Sequence, residues 1–97
     1  MTRFEVVVHA RAERDLKALP RDVALRIGRH CLSLETDPEP RGKKVKQLEG
    51  VKPETMRLRV GDYRVLCRVA PDAQRVFILR VVHRSELMRA VRQLPKP

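Results

Sequence analysis

The hydrophobic pattern of the N-terminal third of the chain predicts one strand and two helices. The β-branched segment 4–9 (FEVVVH) predicts a first strand. The apolar residues that follow have helical spacing and predict a short helix: Ala12, Leu16 and Leu19. Pro20 ends this helix, and a second helix follows. Its apolar face is formed by Val23, Ile27, Cys31 and Leu34. The pattern therefore predicts a strand followed by a helical hairpin.

Farther along the chain the period changes to two, which is typical of strands. Apolar and charged residues alternate over 56–60 (MRLRV), Gly61-Asp62 predict a turn, and the alternation resumes over 63–69. After a further turn at 71–74, the apolar segment 75–82 predicts a strand covered on both faces. These three strands are expected to form an antiparallel meander.

Shorter signals complete the predicted fold. Prolines and a glycine at 37–44 predict an exposed loop, and 45–48 predicts a short extended segment. Ser85 is the expected N-cap of a last helix, which ends at Pro95. The predicted fold class is α+β, as a single domain over residues 1–97. It comprises an N-terminal strand and a helical hairpin packed on an antiparallel β-sheet, with a short C-terminal helix.

The charge of the chain narrows the classes of function. Its 97 residues carry 22 Lys and Arg against 12 Asp and Glu, a net charge of +10. This favours a polyanionic partner, either nucleic acid or an acidic protein. No segment reaches the roughly 18 apolar residues of a membrane span, and no secretory signal is visible, so a cytoplasmic protein without membrane contact is expected. Cys31 and Cys67 lack CxxC spacing, which indicates two buried thiols rather than a disulfide or a zinc site.

Strand alternation also predicts where the arginines lie. If the apolar residues of 56–60 and 63–69 face the helices, the arginines between them face the opposite side of the sheet: Arg57, Arg59, Arg64 and Arg68. Arg80 joins them if its apolar neighbours face the core, and Arg84 lies at the rim. Because like charges on adjacent strands repel each other, this grouping favours a phosphate-binding surface. A solvated sheet face without a ligand is the alternative.

Four segments carry a resemblance to a known family. In chain order they are RDLKALP at 14–20, KQLEG at 46–50, MRLRVGDYRVL at 56–66 and VHRSE at 82–86. In this order and at these spacings they resemble the RelE/ParE toxin superfamily across almost the whole chain. The stretch LRVGDYRV at 58–65 is the most specific part. On this resemblance the chain is identified as a RelE-like toxin of a type II toxin-antitoxin system.

The resemblance implies a function and a set of partners. In the RelE branch it implies a ribosome-dependent mRNA endonuclease that needs no metal or other cofactor. A ribose 2′-hydroxyl attacks the adjacent phosphate, while basic residues hold the strand and offset the developing charge. The implied partners are mRNA, the ribosome and a cognate antitoxin, which is expected to be acidic and partly helical and to fold on binding.

Residue roles follow from the same resemblance. Arg57, Arg64 and Arg84 match positions that bind and stabilise the scissile phosphate. Further basic residues are expected, from the resemblance or from the alternation, to contact the RNA backbone: Lys44, Lys46, Arg59, Arg68 and Arg80. For the two lysines, solvated charges without a ligand are the alternative.

The sequence departs from the family where a tyrosine is often found, shortly after the segment 82–86. Met88 stands at that position, and the only tyrosine, Tyr63, is predicted to be buried. His83 is the first candidate for the missing proton-transfer group, because imidazole titrates near neutrality, and Glu86 is the second.

Both candidates also have simpler interpretations. His83 is otherwise a strand-end residue hydrogen-bonded to the backbone, and Glu86 a carboxylate that interacts with the dipole of the last helix.

The departure from the family leaves two other functions open. One is a ParE-like toxin that inhibits DNA gyrase without cleaving RNA, and the other is an inactive basic binding module.

Overall fold

The computed structural model describes residues 3–36, 38, 45–47 and 55–95, and for 45–47 the backbone only. The strands in chain order are β1 (Glu5–Val8), β2 (Val45–Gln47), β3 (Thr55–Val60), β4 (Tyr63–Ala70) and β5 (Arg75–His83). The helices are α1 (Ala10–Lys17), α2 (Arg21–Leu32) and α3 (Leu87–Arg92), with 3₁₀ turns at Ser33–Glu35, Pro71–Ala73 and Arg84–Glu86. The predicted loop at 37–44 lies outside the described residues, except for residue 38.

The described strands form one mixed sheet in the order β1-β5-β4-β3-β2. β3, β4 and β5 form the predicted antiparallel meander, and β2 adds a further strand antiparallel to β3. β1 pairs in parallel with β5, from Glu5 opposite Arg75 to Val8 opposite Ile78. The sheet is therefore not wholly antiparallel. The sequence predicts β1 as a strand but not its partner, because both helices and the meander separate the two strands along the chain.

The main core lies between the sheet and the helices α1 and α2. The helices contribute Ala12, Ile27 and Cys31, each at most 5% exposed. The sheet contributes the alternate residues of β3 and β4 that the period of two places on one face: Met56, Leu58, Val60, Val65 and Cys67. Burial of a large apolar side chain stabilises the fold by about 1.5–3 kcal/mol. Because this face is fixed in the core, the arginines between those residues are held on the opposite face.

α3 packs on that opposite face. Its Leu87 and Ala90 contact Leu66 and Val82 in a second, smaller apolar cluster. Arg57 lies opposite Leu66 in the β3–β4 register and therefore borders this cluster. The helix covers part of the surface that alternation alone leaves to solvent.

Histidines begin two of the helical segments. His9 Nδ1 accepts a hydrogen bond from the backbone N–H of Arg11 at 3.0 Å, at the start of α1. His83 Nδ1 accepts one from the backbone N–H of Ser85 at 3.2 Å. The prediction that Ser85 is the N-cap is wrong, because the chain already turns at Arg84 and the last residue with extended backbone is His83.

Both cysteines are buried free thiols, as predicted. Cys31 on α2 and Cys67 on β4 belong to the main core. The pKa of each thiol is raised to about 12, by burial for Cys31 and by burial followed by the charge of Cys31 for Cys67. Both thiols therefore stay protonated near neutral pH.

Candidate functional site

Four arginines converge on the sheet face opposite to α1 and α2, and we call them the arginine cluster: Arg57, Arg59, Arg64 and Arg84. Arg59 on β3 lies directly opposite Arg64 on β4, and Arg57 is on the same side two residues earlier in β3. Arg84 follows β5, where its backbone N–H donates to the Asp62 carbonyl at 2.8 Å. Strand alternation and the β3–β4 turn thus bring together four of the predicted site residues.

The cluster is electrostatically unfavourable without a ligand. The pKa of Arg64 lies below its usual value, first because the guanidinium is partly desolvated and then because Arg59, Arg57 and Arg84 place positive charge beside it. Asp62 offsets only part of this effect. Its carboxylate lies 3.9 Å from Arg84 Nε in an exposed pair, which contributes little. Four positive charges against the one carboxylate of Asp62 give this surface a local excess of positive charge that a bound anion would offset.

Arg64 is held in place at the centre of the cluster. One terminal nitrogen of its guanidinium donates to the carbonyls of Gly61 and Tyr63, both at 2.9 Å. These bonds fix the orientation of the planar group. Its three other N–H donors have no protein hydrogen bond among the residues that the structure describes, and they are available to an oxyanion.

Arg68 lies farther along the same face of β4. It is paired with Thr55 across the β3–β4 register, and its Nε lies 3.5 Å from the Thr55 hydroxyl. Its charge is not among those that lower the pKa of Arg64. Arg68 therefore extends the basic face without joining the cluster.

Arg80 occupies a different environment, and its expected place on the free basic surface is wrong. β1 pairs only with residues 75–78 of β5, so α1 lies along the remaining edge of that strand. There Asp15 accepts hydrogen bonds from Arg80 at 2.8 and 3.3 Å and from the backbone N–H of Val81 at 2.9 Å. The ion pair is about 85% buried. Arg80 is thus neutralised inside the fold.

His83 is not brought together with the arginine cluster. It pairs with Tyr63 in the β4–β5 register, and the two rings meet edge to face at a centroid distance of 5.7 Å. Tyr63 packs on the main core, so both side chains lie on the face opposite to Arg64. His83 Nδ1 is already used by the Ser85 backbone N–H, which places the ring proton on Nε2 in the neutral form.

The remaining candidates lie apart from the cluster. An open cleft of about 530 Å³ lies between α1 and α3, and its walls include His83 and Glu86 but none of Arg57, Arg59 and Arg64. Glu86 forms an exposed ion pair with Arg89 at 3.5 Å. Met88 is 65% exposed on α3.

The two predicted lysines stay predictions. Lys44 lies outside the described residues. Lys46 lies on β2, where its backbone is paired with Arg57. Asp15 was missed by the sequence reasoning, because no local pattern connects it to a residue 65 positions away.

The described part of the chain contains neither a candidate metal-binding cluster nor a candidate membrane-spanning helix. Residues 3–36, 38, 45–47 and 55–95 contain no group of three or more His, Cys, Asp or Glu side chains arranged to hold a metal ion. In the same ranges, none of the helices has the length and apolar character to cross a membrane.

Known proteins resemble the chain in sequence and in structure. Residues 6–88 match the family of ParE toxins of type II toxin-antitoxin systems, parDE. The RelE1 protein of Methanocaldococcus jannaschii is 35% identical over 85 residues, which cover 87% of this chain and 92% of that protein.

Solved structures agree with the sequence comparison. A chain of the toxin-antitoxin complex RelBE2 from Mycobacterium tuberculosis is 30% identical, with a TM-score of 0.75, over 88% of this chain and 95% of that chain. A chain of the archaeal RelE-RelB complex from Pyrococcus horikoshii is 33% identical, with a TM-score of 0.72, over 87% of this chain and 97% of that chain. The chain therefore belongs to the RelE/ParE superfamily of toxins of type II toxin-antitoxin systems.

Proposed function

We propose that the protein is a ribosome-dependent mRNA endonuclease and that Arg57, Arg64 and Arg84 of the arginine cluster bind the scissile phosphate. The observation that carries the proposal is the convergence of four guanidiniums, with Asp62 as the single carboxylate that offsets their effect on Arg64. A phosphodiester supplies the missing negative charge. As the 2′-hydroxyl attacks, negative charge builds up on the non-bridging oxygens of the phosphate. Fixed cations therefore stabilise the transition state more than the ground state.

Each arginine has a distinct position relative to that phosphate. Arg64 is anchored by two carbonyls and can donate from a fixed plane. Arg57 and Arg84 flank it and can donate to the other phosphate oxygens. We assign the adjacent backbone contacts to further basic residues of the face and the segment before it: Lys44, Lys46, Arg59 and Arg68.

The proton-transfer role of His83 receives less support than the arginine roles. A neutral ring with its proton on Nε2 is a hydrogen-bond donor, whereas a general base needs a free lone pair. To accept a proton from a ribose hydroxyl, His83 therefore has either to release the Ser85 backbone N–H from Nδ1 or to move its ring proton from Nε2 to Nδ1. We expect His83→Asn, which keeps an acceptor for the Ser85 backbone N–H, to retain cleavage.

Toeprinting of translated mRNA with purified protein tests the proposal. We expect cuts in the ribosomal A site, with Arg64→Gln slowing them roughly 10²–10³-fold, as is typical when one oxyanion donor is lost. Arg75→Gln is the matched control, because Arg75 is an exposed arginine of the same sheet that pairs with Glu5 outside the cluster. Equal rates for wild type and Arg64→Gln, or no cuts from either, reject the proposal.

The chemistry of the cut can be tested separately. Attack by the 2′-hydroxyl displaces the 5′-oxygen and leaves a 2′,3′-cyclic phosphate and a 5′-hydroxyl. An mRNA with a single 2′-deoxynucleotide at the cut site should therefore resist cleavage there. Efficient cleavage of that mRNA would show that water, and not the ribose, is the nucleophile.

We further propose that an acidic antitoxin binds the protein. The similar chains from Mycobacterium tuberculosis and Pyrococcus horikoshii come from toxin-antitoxin complexes, RelBE2 and RelE-RelB. A net charge of +10 favours an acidic partner. Co-expression with a neighbouring small open reading frame should give a stable complex and restore growth.

Inhibition of DNA gyrase is the competing function. It is favoured by the match to the ParE toxin family and by Met88, which occupies the position of the family's frequent tyrosine. A supercoiling assay separates the two functions. Inhibition of gyrase by a protein that leaves translated mRNA intact would replace the nuclease proposal.

A further inference from the structure

A fifth arginine lies at the tip of the β3–β4 hairpin, on the other side of the sheet from the arginine cluster. The turn consists of Gly61 and Asp62, both exposed. Arg26 extends from α2 so that its terminal nitrogens lie 3.5 and 3.6 Å from the point that a Cβ on Gly61 would occupy. The guanidinium of Arg26 therefore lies in contact range of the turn.

The same turn is contacted by two members of the cluster. Arg64 donates to the Gly61 carbonyl at 2.9 Å, and Arg84 reaches Asp62 through its backbone at 2.8 Å and its side chain at 3.9 Å. The turn of Gly61 and Asp62 is thus contacted by three arginines, Arg26, Arg64 and Arg84. Asp62 is the only carboxylate of that turn.

Arg26 is also unneutralised and separate from the cluster. It forms no ion pair or side-chain hydrogen bond with the residues that the structure describes. Arg26 extends from α2, which packs on the core face of the sheet, whereas the cluster lies on the opposite face. A nucleic-acid strand bound to the cluster therefore has to cross the β3–β4 turn to reach Arg26.

We propose that Arg26 binds a second phosphate of the same RNA strand, which crosses the β3–β4 turn from the arginine cluster toward α2. This inference rests on the proposed RNA-binding function of the cluster. A glycine and an exposed aspartate at the turn leave no side chain large enough to block a strand that crosses it. An RNA backbone suits this surface because the described residues around the turn bring three guanidiniums to it against the one carboxylate of Asp62.

Binding of a short, non-cleavable 2′-O-methyl RNA tests the inference, measured by fluorescence anisotropy between about 50 and 200 mM KCl. Arg26→Gln should weaken binding several-fold and lower the slope of log K against log salt by about 0.7, the value for one phosphate contact on a single strand. Arg21→Gln is the matched control, since Arg21 is an exposed arginine at the other end of α2. It should bind like wild type.

The outcomes separate this inference from the proposed function. If wild type binds RNA and Arg26→Gln keeps the slope of Arg21→Gln, the second phosphate site is rejected and the cluster proposal stands. If Arg26→Gln binds RNA normally but loses affinity for an acidic antitoxin peptide, the site belongs to a protein partner and the inference is overturned. If wild type shows no RNA binding, the second phosphate site is rejected, while A-site cleavage of translated mRNA still decides the proposed function. Both variants change exposed residues, so their melting temperatures should stay close to that of wild type and both should be folded in the binding assay.

Discussion

Arg64 and Arg80 are the same residue type on neighbouring strands, yet their environments differ. The β4–β5 register places Arg64 opposite Val82 and Arg80 opposite Leu66, on the same side of the sheet. Arg64 is surrounded by further arginines, whereas Arg80 is neutralised by Asp15. The period of two predicts which face an arginine occupies. Whether it is free to bind a ligand depends on partners that are distant in the sequence.

The buried thiols predict a loss of stability at alkaline pH. Their pKa in the folded protein is about 12, against about 8.5 for an unfolded cysteine. The stabilisation is complete below the unfolded pKa and is lost as pH rises toward the folded one, because only the unfolded chain then releases protons. The two thiols together should lower the free energy of unfolding by roughly 4 kcal/mol between about pH 8 and 10.

Urea unfolding at both pH values measures this effect, and Cys31→Ala is the control. One thiol then remains, so the contribution should fall by about half, even though the smaller side chain lowers stability at both pH values. An unchanged pH dependence in Cys31→Ala would show that other groups cause the alkaline loss.

At the scale of elements, α1 completes the edge of β5 that β1 leaves open. Asp15 satisfies both the Arg80 guanidinium and the Val81 backbone N–H, two groups that have little access to water. Asp15 therefore connects α1 to the end of β5, which is followed by the 3₁₀ turn that begins at Arg84. An edge strand with an unpaired backbone group is protected here by a side chain rather than by another strand.

We expect Asp15→Asn to destabilise the fold by about 2–3 kcal/mol, because Arg80 keeps its charge and loses its counterion. For a chain of this size that corresponds to a fall in melting temperature of roughly 10 °C or more. Thermal unfolding followed by circular dichroism measures it. Arg75→Gln, which removes an exposed ion pair with Glu5, should change the free energy of unfolding by less than about 1 kcal/mol.

The double substitution Asp15→Asn with Arg80→Gln distinguishes the ion pair from simple loss of packing. Removing both charges leaves no uncompensated ion, so part of the lost stability should return. A double variant that is less stable than Asp15→Asn alone would contradict this explanation.

At the scale of the whole molecule, part of the net charge of +10 lies in the arginine cluster, where it opposes folding. Arg59 and Arg64 lie directly opposite each other, and their charges repel. A cluster of this kind lowers the stability of the free protein. The repulsion is screened by salt over about 10 Å at 0.1 M ionic strength.

Arg59→Gln should therefore stabilise the free protein by about 0.5–1 kcal/mol at low ionic strength. Melting temperatures in a salt series measure the effect, which should disappear at high salt. Arg21→Gln removes the same charge from an exposed position outside the cluster, so it should give a smaller increase. Equal effects of the two variants would mean that net charge, and not clustering, is responsible.

Local pattern was sufficient for much of the fold. The periods of 3.6 and two, together with Pro20 and the Gly61-Asp62 turn, predicted the helices, the meander and the arginine-bearing face. The family resemblance carried by 58–65 agrees with the match over residues 6–88. These features depend on residues close together in the sequence, so a single sequence is enough to determine them.

The tertiary structure decided which distant parts of the chain pair, pack and neutralise one another. It paired β1 in parallel with β5, placed α3 on the face of the arginines and neutralised Arg80 with Asp15. It also placed His83 away from the arginine cluster and Arg26 beside the β3–β4 turn. Pairing and charge compensation depend on which surfaces meet in space, and a period along the chain carries no information about that.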